Sequence, residues 1–170
     1  LNVGGAETTR SAIAGGLQQL SEDPKQYEAL HEDPSLIPNA VEEIIRWVCP
    51  FVNMYRTATR DFVLHGKVIK EGQLVGLTYP AANRDPRKFK DPHKFNIFRD
   101  FSEEARHLSF GLGPHFCLGA SLARLELRLS LEEMTQRVKG IQQAPGKDLE
   151  YVSSSFTRGL KKFPAVLEPR

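Results

Sequence analysis

Residues 110–119 read Phe-Gly-Leu-Gly-Pro-His-Phe-Cys-Leu-Gly, FGLGPHFCLG, and they decide what kind of molecule the chain makes. Three glycines, Gly111, Gly113 and Gly119, surround Cys117, and the 170-residue chain has only 2 cysteines. A leucine-rich segment follows, which predicts a helix from Cys117 to about Gly140 with the cysteine in its first turn. A thiol in that position feels the positive end of the helix dipole and the free backbone N–H groups, and both stabilise its thiolate. The glycines let another group approach the backbone closely.

Local chemistry leaves three readings of Cys117 open. It is an inert buried cysteine, a nucleophile served by His115 two residues away, or a thiolate ligand to haem iron lying under a flat macrocycle. A phosphate loop is excluded because no Gly-Lys-Ser/Thr follows the glycines. The other cysteine, Cys49, precedes Pro50 at the end of an apolar segment and reads as a small buried hydrophobe. No CxxC or Cys/His cluster has the spacing of a zinc or iron–sulfur site.

Outward from the loop, composition sets bounds. With 40% hydrophobic and 26% charged residues the chain can build one globular core. A net charge of +2, with no basic block beyond Lys161-Lys162, gives no footprint for nucleic acid. There is no apolar run of membrane-spanning length and no export signal, so the expected location is cytoplasmic. The chain starts at Leu1, within a helical pattern, so residues upstream of it are expected.

Residues 1–20 predict one helix, entered part way along and interrupted by Gly4-Gly5 and Gly15-Gly16. Asp23 to Pro34 predicts a short surface helix with His31 facing solvent. From Pro38, Val41, Ile44, Ile45 and Val48 recur at i, i+3, i+4 and i+7, and Pro50 ends that helix. Residues 56–77 predict a small antiparallel sheet with turns at His65-Gly66 and Glu71-Gly72. Residues 80–109 are too rich in Pro, Asp and Asn for a long regular element, and His107 reads as a loop histidine. In the last helix Leu118, Leu122, Leu125 and Leu129 share one face while Ala123, Leu127, Leu131 and Met134 take another, which predicts burial on more than one side. The tail, Leu149 to Leu167, predicts a terminal hairpin.

FGLGPHFCLGASLAR resembles the haem-binding signature of the cytochrome P450 family, Phe-Gly-x-Gly-x-His/Arg-x-Cys-x-Gly followed by Leu-Ala-Arg. GGAET, from Gly4 to Thr8, is similar to the Gly-x-Asp/Glu-Thr segment of that family's distal helix. EIIR, from Glu43 to Arg46, resembles its Glu-x-x-Arg pair, and AANRDP, from Ala81 to Pro86, a segment common in soluble bacterial members. The resemblance covers essentially all of residues 1–170, as the C-terminal part of a typical member, with the N-terminal part absent from this chain. It implies a mainly α fold with small β-sheets: distal-helix remnant, K helix, β-hairpins, irregular meander, cysteine loop and L helix.

It also implies roles. Cys117 becomes the proximal thiolate ligand of haem b (iron protoporphyrin IX). Phe110, Gly111, Gly113 and Gly119 shape the loop, while His115 and Arg56 meet the haem propionates. Glu7 and Thr8 form the acid–alcohol pair that delivers protons during dioxygen activation; Thr9 is a neighbouring hydroxyl. On periodicity alone Glu43 and Arg46 are a solvated i, i+3 pair. The resemblance instead covers them with the irregular segment and adds Arg99, as a structural lock. Val52, Asn53, Met54, Ser155 and Phe156 fall where family members contact a lipophilic substrate: a steroid, fatty acid or terpenoid. Electrons would come from a ferredoxin and ferredoxin reductase or a similar donor, docked on Arg106, Arg124 and Arg128. The competing readings are a haem-thiolate isomerase or dehydratase that does not use dioxygen, and a truncated haem-binding fragment without turnover.

Overall fold

The structure, a computed structural model, describes residues 3–102 and 106–170. A π-helical turn, Val3–Glu7, runs into α1 (Thr8–Glu22), so the broken N-terminal helix of the sequence is a widened turn followed by a regular helix. α2 (Pro24–Glu32) and α3 (Ile37–Val48) follow, each with proline in its first turn, where the missing N–H costs nothing. α3 stops at Cys49, which takes a left-handed conformation (φ 42°) while its amide still bonds Ile45 O at 3.2 Å.

The expected single sheet is two separate ladders. β1 (Asn53–Thr57) pairs antiparallel with β4 (Leu74–Thr78), and between them β2 (Phe62–Leu64) and β3 (Lys67–Ile69) form a hairpin. Its turn is His65-Gly66, both at positive φ (46° and 76°), as a two-residue hairpin turn requires. A short α4 (Tyr79–Ala82) leads into the irregular segment. The next long element is α5 (Ala120–Arg137), capped at its N-terminus by Gly119, so Cys117 lies in the turn before the helix and not inside it.

α5 also ends earlier than its pattern suggests: Val138 switches to extended backbone and opens β5 (Val138–Gln143), which pairs with β8 (Ala165–Pro169). The tail is therefore more than one hairpin, because β6 (Glu150–Tyr151) pairs with β7 (Leu160–Lys162) beside it. Among the described residues no helix is long and apolar enough to cross a membrane.

The core lies where α1, α2, α3 and α5 meet β5, around Leu20, Leu30, Ile44, Leu127, Leu131 and Ile141. Two sequence expectations fail here. His31 does not face solvent: both ring nitrogens are buried without partners and the ring packs edge-on against Tyr27 at 4.8 Å. α2 is thus an amphipathic helix turned inward, with Gln26, Tyr27 and Leu30 buried. α5 buries Leu127 and Leu131, but its other apolar face is open, with Leu118 94% and Leu122 59% exposed. Among the described residues that second face stays largely uncovered.

Gly15 and Gly16 set the crossing of α1 over α3. A Cβ on Gly16 would fall 2.7–2.9 Å from three atoms of the Ile44 side chain, and one on Gly15 would meet Val48. Since Ile44 is buried and β-branched, it cannot swing away. Gly16→Ala is therefore expected to destabilise the chain by about 1–3 kcal/mol, the usual cost of overpacking. Gly4→Ala, whose Cβ meets nothing within 4 Å, serves as the control. Chemical denaturation of both variants checks this, and equal midpoints would refute the tight crossing.

Candidate active site

The polar face of α3 is as buried as its apolar one. Glu43 and Arg46 both have fully buried side chains, 0% exposed, so the solvated pair expected from periodicity is absent. The irregular segment covers them and brings in Arg99. Glu43 accepts four hydrogen bonds: from Arg46 Nε at 2.6 Å, Arg46 Nη2 at 2.8 Å, Arg99 Nε at 3.1 Å and the amide of Asn96 at 2.8 Å. Arg46 spends its remaining N–H groups on the carbonyls of Asn83, Pro92 and Lys94 at 2.8–3.1 Å. Every donor of the guanidinium and every lone-pair direction of the carboxylate is used. That completeness is what lets buried charges persist in a protein interior.

Asn83, also fully buried, carries this centre to the cysteine loop. Its amide nitrogen donates to Arg46 O at 3.1 Å and Ser109 Oγ at 2.7 Å, and its Oδ1 accepts the amide of Leu108 at 2.7 Å. Ser109 Oγ in turn donates to Ile45 O at 2.7 Å. No role for Asn83 emerges from the sequence alone; the signal available was its place in AANRDP.

The loop closes when the Cys117 amide donates to Phe110 O at 2.9 Å. Gly111 (φ 72°) and Gly113 (φ 77°) take left-handed conformations that make the reversal, and Gly113 starts a 3-10 turn, Gly113–His115. The Cys117 thiol is exposed, whereas that of Cys49 is buried, and burial pushes Cys49 up to about 11 despite its neighbours Ser109, Arg84 and Arg158. Cys49 is thus the inert thiol.

A mainly apolar cavity of about 230 Å³ lies between α1 and this loop. Gly4, Thr8 and Thr9 face it from the helix side, and Phe110, Gly111, His115 and Cys117 from the loop. Pro50, Phe51 and Met54 complete the wall together with Tyr79 and Leu127. The cavity thus brings together Thr8, Met54, Phe110, Gly111, His115 and Cys117 among the residues singled out in the sequence.

Others lie elsewhere. Thr8 Oγ1 donates to Gly4 O, one turn back, at 2.6 Å. Glu7 pairs with Arg10 and is about half exposed. Arg56 is exposed, with Nη1 on Tyr55 O at 2.9 Å, on the same strand face as Met54 two residues before it. Of the five substrate candidates, only Met54 lines the cavity. Val52 and Asn53 instead tie β1 to the tail: the Val52 amide donates to Phe156 O at 3.0 Å and Asn53 Nδ2 to Ser155 O at 3.3 Å. The Phe156 ring packs edge-on against Phe51 at 4.9 Å, and of these two it is Phe51 that lines the cavity.

His107 is not an ordinary loop histidine, because its side chain is only 3% exposed and Nε2 meets Glu42 at 3.1 Å. Arg124 grips the same carboxylate, with Nε at 2.6 Å and Nη2 at 3.0 Å, and is not free on the surface. Arg128 pairs with Glu132 at 3.6 Å, leaving Arg106 beside the groove of Leu112 and Phe116. Burial pushes the Glu42 carboxyl up, but the hydrogen bonds and charges of His107 and Arg124 outweigh it and hold it at about 2.

The chain matches the protein-family model described as Cytochrome P450 over residues 1–147. It is 40% identical over 167 residues to the Steroid C26-monooxygenase of Mycolicibacterium smegmatis, covering 98% of this chain and 41% of that protein. It is 42% identical over 170 residues to the Methyl-branched lipid omega-hydroxylase of Mycobacterium bovis, covering 98% of this chain and 38% of that protein. Among solved structures, Cytochrome P450-153 from Novosphingobium aromaticivorans superposes with a TM-score of 0.91 at 46% identity, over 98% of this chain and 41% of that one. The chain spans about two fifths of the length of the curated relatives it matches.

Two outcomes follow from the ionic geometry. Glu43→Gln leaves two buried guanidinium groups short of their counter-charge and is expected to cost about 3–5 kcal/mol, the range for breaking a buried ion pair from one side. A denaturation midpoint within experimental scatter of the parent would refute that. The folded-state value of Glu42 lies below its ordinary value of 4.5, so the stability it supplies is present above that value and is lost as pH falls towards 2. Thermal melts between pH 5 and pH 2 should fall less steeply for Glu42→Gln than for the parent; parallel curves would show that the carboxylate is not stabilised.

Proposed function

Because the chain belongs to the cytochrome P450 family and has the fold of that family's C-terminal portion, we propose that it is the haem-binding part of a haem-thiolate monooxygenase. The cofactor is haem b. The observation that carries this reading is that the exposed thiol of Cys117 and the hydroxyl-bearing Thr8, from two different elements, line one apolar cavity.

The residues present suit such a group. A Cβ on Gly113 or Gly119 would meet nothing within 4 Å, so no other part of the chain crowds the loop at these two positions, and Gly111 faces the cavity without a side chain. Among the described residues no three His, Cys, Asp or Glu side chains gather to hold a bare metal ion. An iron held by Cys117 would take its other ligands from its own macrocycle, which is how haem is ligated. His115 at the cavity wall, and Arg56 one pleat beyond Met54, are the cationic or polar partners for the propionates.

When bound, the haem supplies the activation of dioxygen and the transfer of one oxygen atom to an unreactive carbon of the substrate. The chain's own residues do the rest. Cys117 holds the group as a thiolate, and the Phe110 carbonyl fixes the Cys117 amide. Thr8 keeps its proton on the Gly4 carbonyl and leaves the oxygen lone pairs free, so the hydroxyl can accept a hydrogen bond from a water or a protonated group at the cavity wall and hold it there. Glu7, one residue earlier and partly exposed, is the acid that exchanges protons with solvent.

Pro50, Phe51, Met54 and Leu127 line the cavity with apolar surface, which suits a lipophilic substrate of the steroid, fatty acid or terpenoid class. The names of two relatives, a steroid and a branched-lipid oxidising enzyme, support the first two classes. Turnover, substrate and a ferredoxin-type electron donor belong to the whole protein. The share of the relatives spanned favours a second reading for the chain by itself, a haem-binding unit without turnover.

The test is the carbon monoxide difference spectrum of the dithionite-reduced, haem-loaded protein, recorded on this chain and on an upstream-extended form. A strongly red-shifted Soret band is expected, lost in Cys117→Ala and kept in Cys49→Ala. A band that survives Cys117→Ala would overturn the assignment of the ligand. A band confined to the extended form would leave the assignment standing and identify this chain as insufficient by itself.

A further inference from the structure

One cluster of ionisable side chains touches the cysteine loop without lining the cavity. Glu42 precedes Glu43 on α3 but faces different surroundings, where Arg124 of α5 and His107 of the irregular segment share its carboxylate. Both partners also rest on a single ring. Arg124 Cζ lies 4.7 Å from the centroid of Phe110, within cation–π range, and the His107 ring lies 5.7 Å from it. Phe110 is the residue whose carbonyl closes the loop on the Cys117 amide. Two elements distant in sequence therefore meet on the one ring that backs the cysteine, and Glu42 of α3 ties them together.

Surface ion pairs are worth little, but this cluster is not of that kind. Its fork of two N–H···O bonds holds the guanidinium on the carboxylate while the Cζ atom lies over the Phe110 ring. His107 keeps its place although Nδ1 is buried with no partner, so its Nε2 bond and its contacts with Phe101 and Phe110 outweigh that cost. Arg124 also lies close enough to Cys117 for the two to interact electrostatically.

We propose that Glu42, His107 and Arg124 form a clamp on Phe110, acting as positioning residues that hold the cysteine loop and set the charge felt at the Cys117 sulfur. Glu42 orients Arg124 and balances its charge, Arg124 covers the ring, and His107 closes the cluster from the irregular segment. The proposal rests on the reading of Cys117 given above, and its first test is independent of haem.

Amide hydrogen exchange on the full, cofactor-free chain reads the loop directly. Arg124→Ala is expected to speed exchange of the Cys117 amide at least tenfold while the Ile44 and Leu20 amides stay as they are. Arg124→Lys, which keeps the charge but loses the planar fork, should give the same local change and serves if the alanine variant does not fold. His107→Gln, which keeps an N–H donor for Glu42, should restore protection relative to His107→Ala. An unchanged Cys117 amide, or a rise shared equally by Ile44 and Leu20, would overturn the clamp. In the haem-loaded protein the midpoint potential should fall in Arg124→Gln, which removes a cation and favours ferric iron, and rise in Glu42→Gln. Shifts of the same sign in both variants would overturn the electrostatic part, because a purely structural role predicts no opposition.

Discussion

Everything around the cysteine depends on two arginines and one glutamate sealed from water. A guanidinium buried with 0% exposure is tolerated only when each N–H has an acceptor, and α3 offers Arg46 just one carboxylate. The remaining acceptors are main-chain carbonyls of the irregular segment, at Asn83, Pro92 and Lys94 for Arg46 and at Lys90, Asp91 and Lys94 for Arg99. Those carbonyls belong to no helix or strand ladder, and the arginine N–H groups supply donors that regular structure would otherwise give. Each side supplies what the other lacks. A stretch with almost no regular structure is thereby held as firmly as a sheet.

That rigidity reaches the loop along a short path of hydrogen bonds. From Arg46 the path runs through Asn83 to Leu108 and Ser109, and then over one residue to Phe110, whose carbonyl holds the Cys117 amide. Arg124 and His107 meet Phe110 by its ring, so the same residue is fixed through backbone and side chain from two directions. Across the cavity α1 is set by Gly15 and Gly16 against α3, the helix that carries the ionic centre. Both walls of the site are therefore referenced to α3, and the spacing between thiol and hydroxyl is a property of that one helix.

How much of this the sequence reveals depends on how local each cause is. The α3 stripe, the His65-Gly66 turn and the glycine-framed cysteine are written within ten or so residues, and they could be read. The burial of Glu43 and Arg46 could not be read from period, because hydropathy along α3 records only its own faces and the cover arrives with Asn83 to Arg99. The resemblance supplied what periodicity lacked. His107 escapes a local reading for the same reason, since it is buried against Glu42, 65 residues away, while the His31 ring packs against Tyr27 of its own helix. The ends of α5 were misplaced because Gly119 and Val138 act through backbone geometry and strand pairing, neither of which a leucine count registers. Periodicity predicts that its Leu118/Leu122 face is covered, but pattern shows only that a face is apolar, not that the chain holds a partner for it.

Several of the positions where local rules break gather around the cavity and its loop. The π-helical turn at Gly4 and Gly5 widens the helix, Gly111 and Gly113 hold backbone that other residues avoid, and the Cys117 thiol is left exposed beside apolar side chains. Each exception costs stability where it stands. Behind the loop the helices follow local rules, with prolines opening α2 and α3 and the charges of Glu43, Arg46 and Arg99 paired. A site of this kind needs both conditions at once. The loop must leave open space for a flat ligand, and it must not drift when that space is empty. The paired charges behind Phe110 meet the second demand, so that the glycines in front of it are free to meet the first.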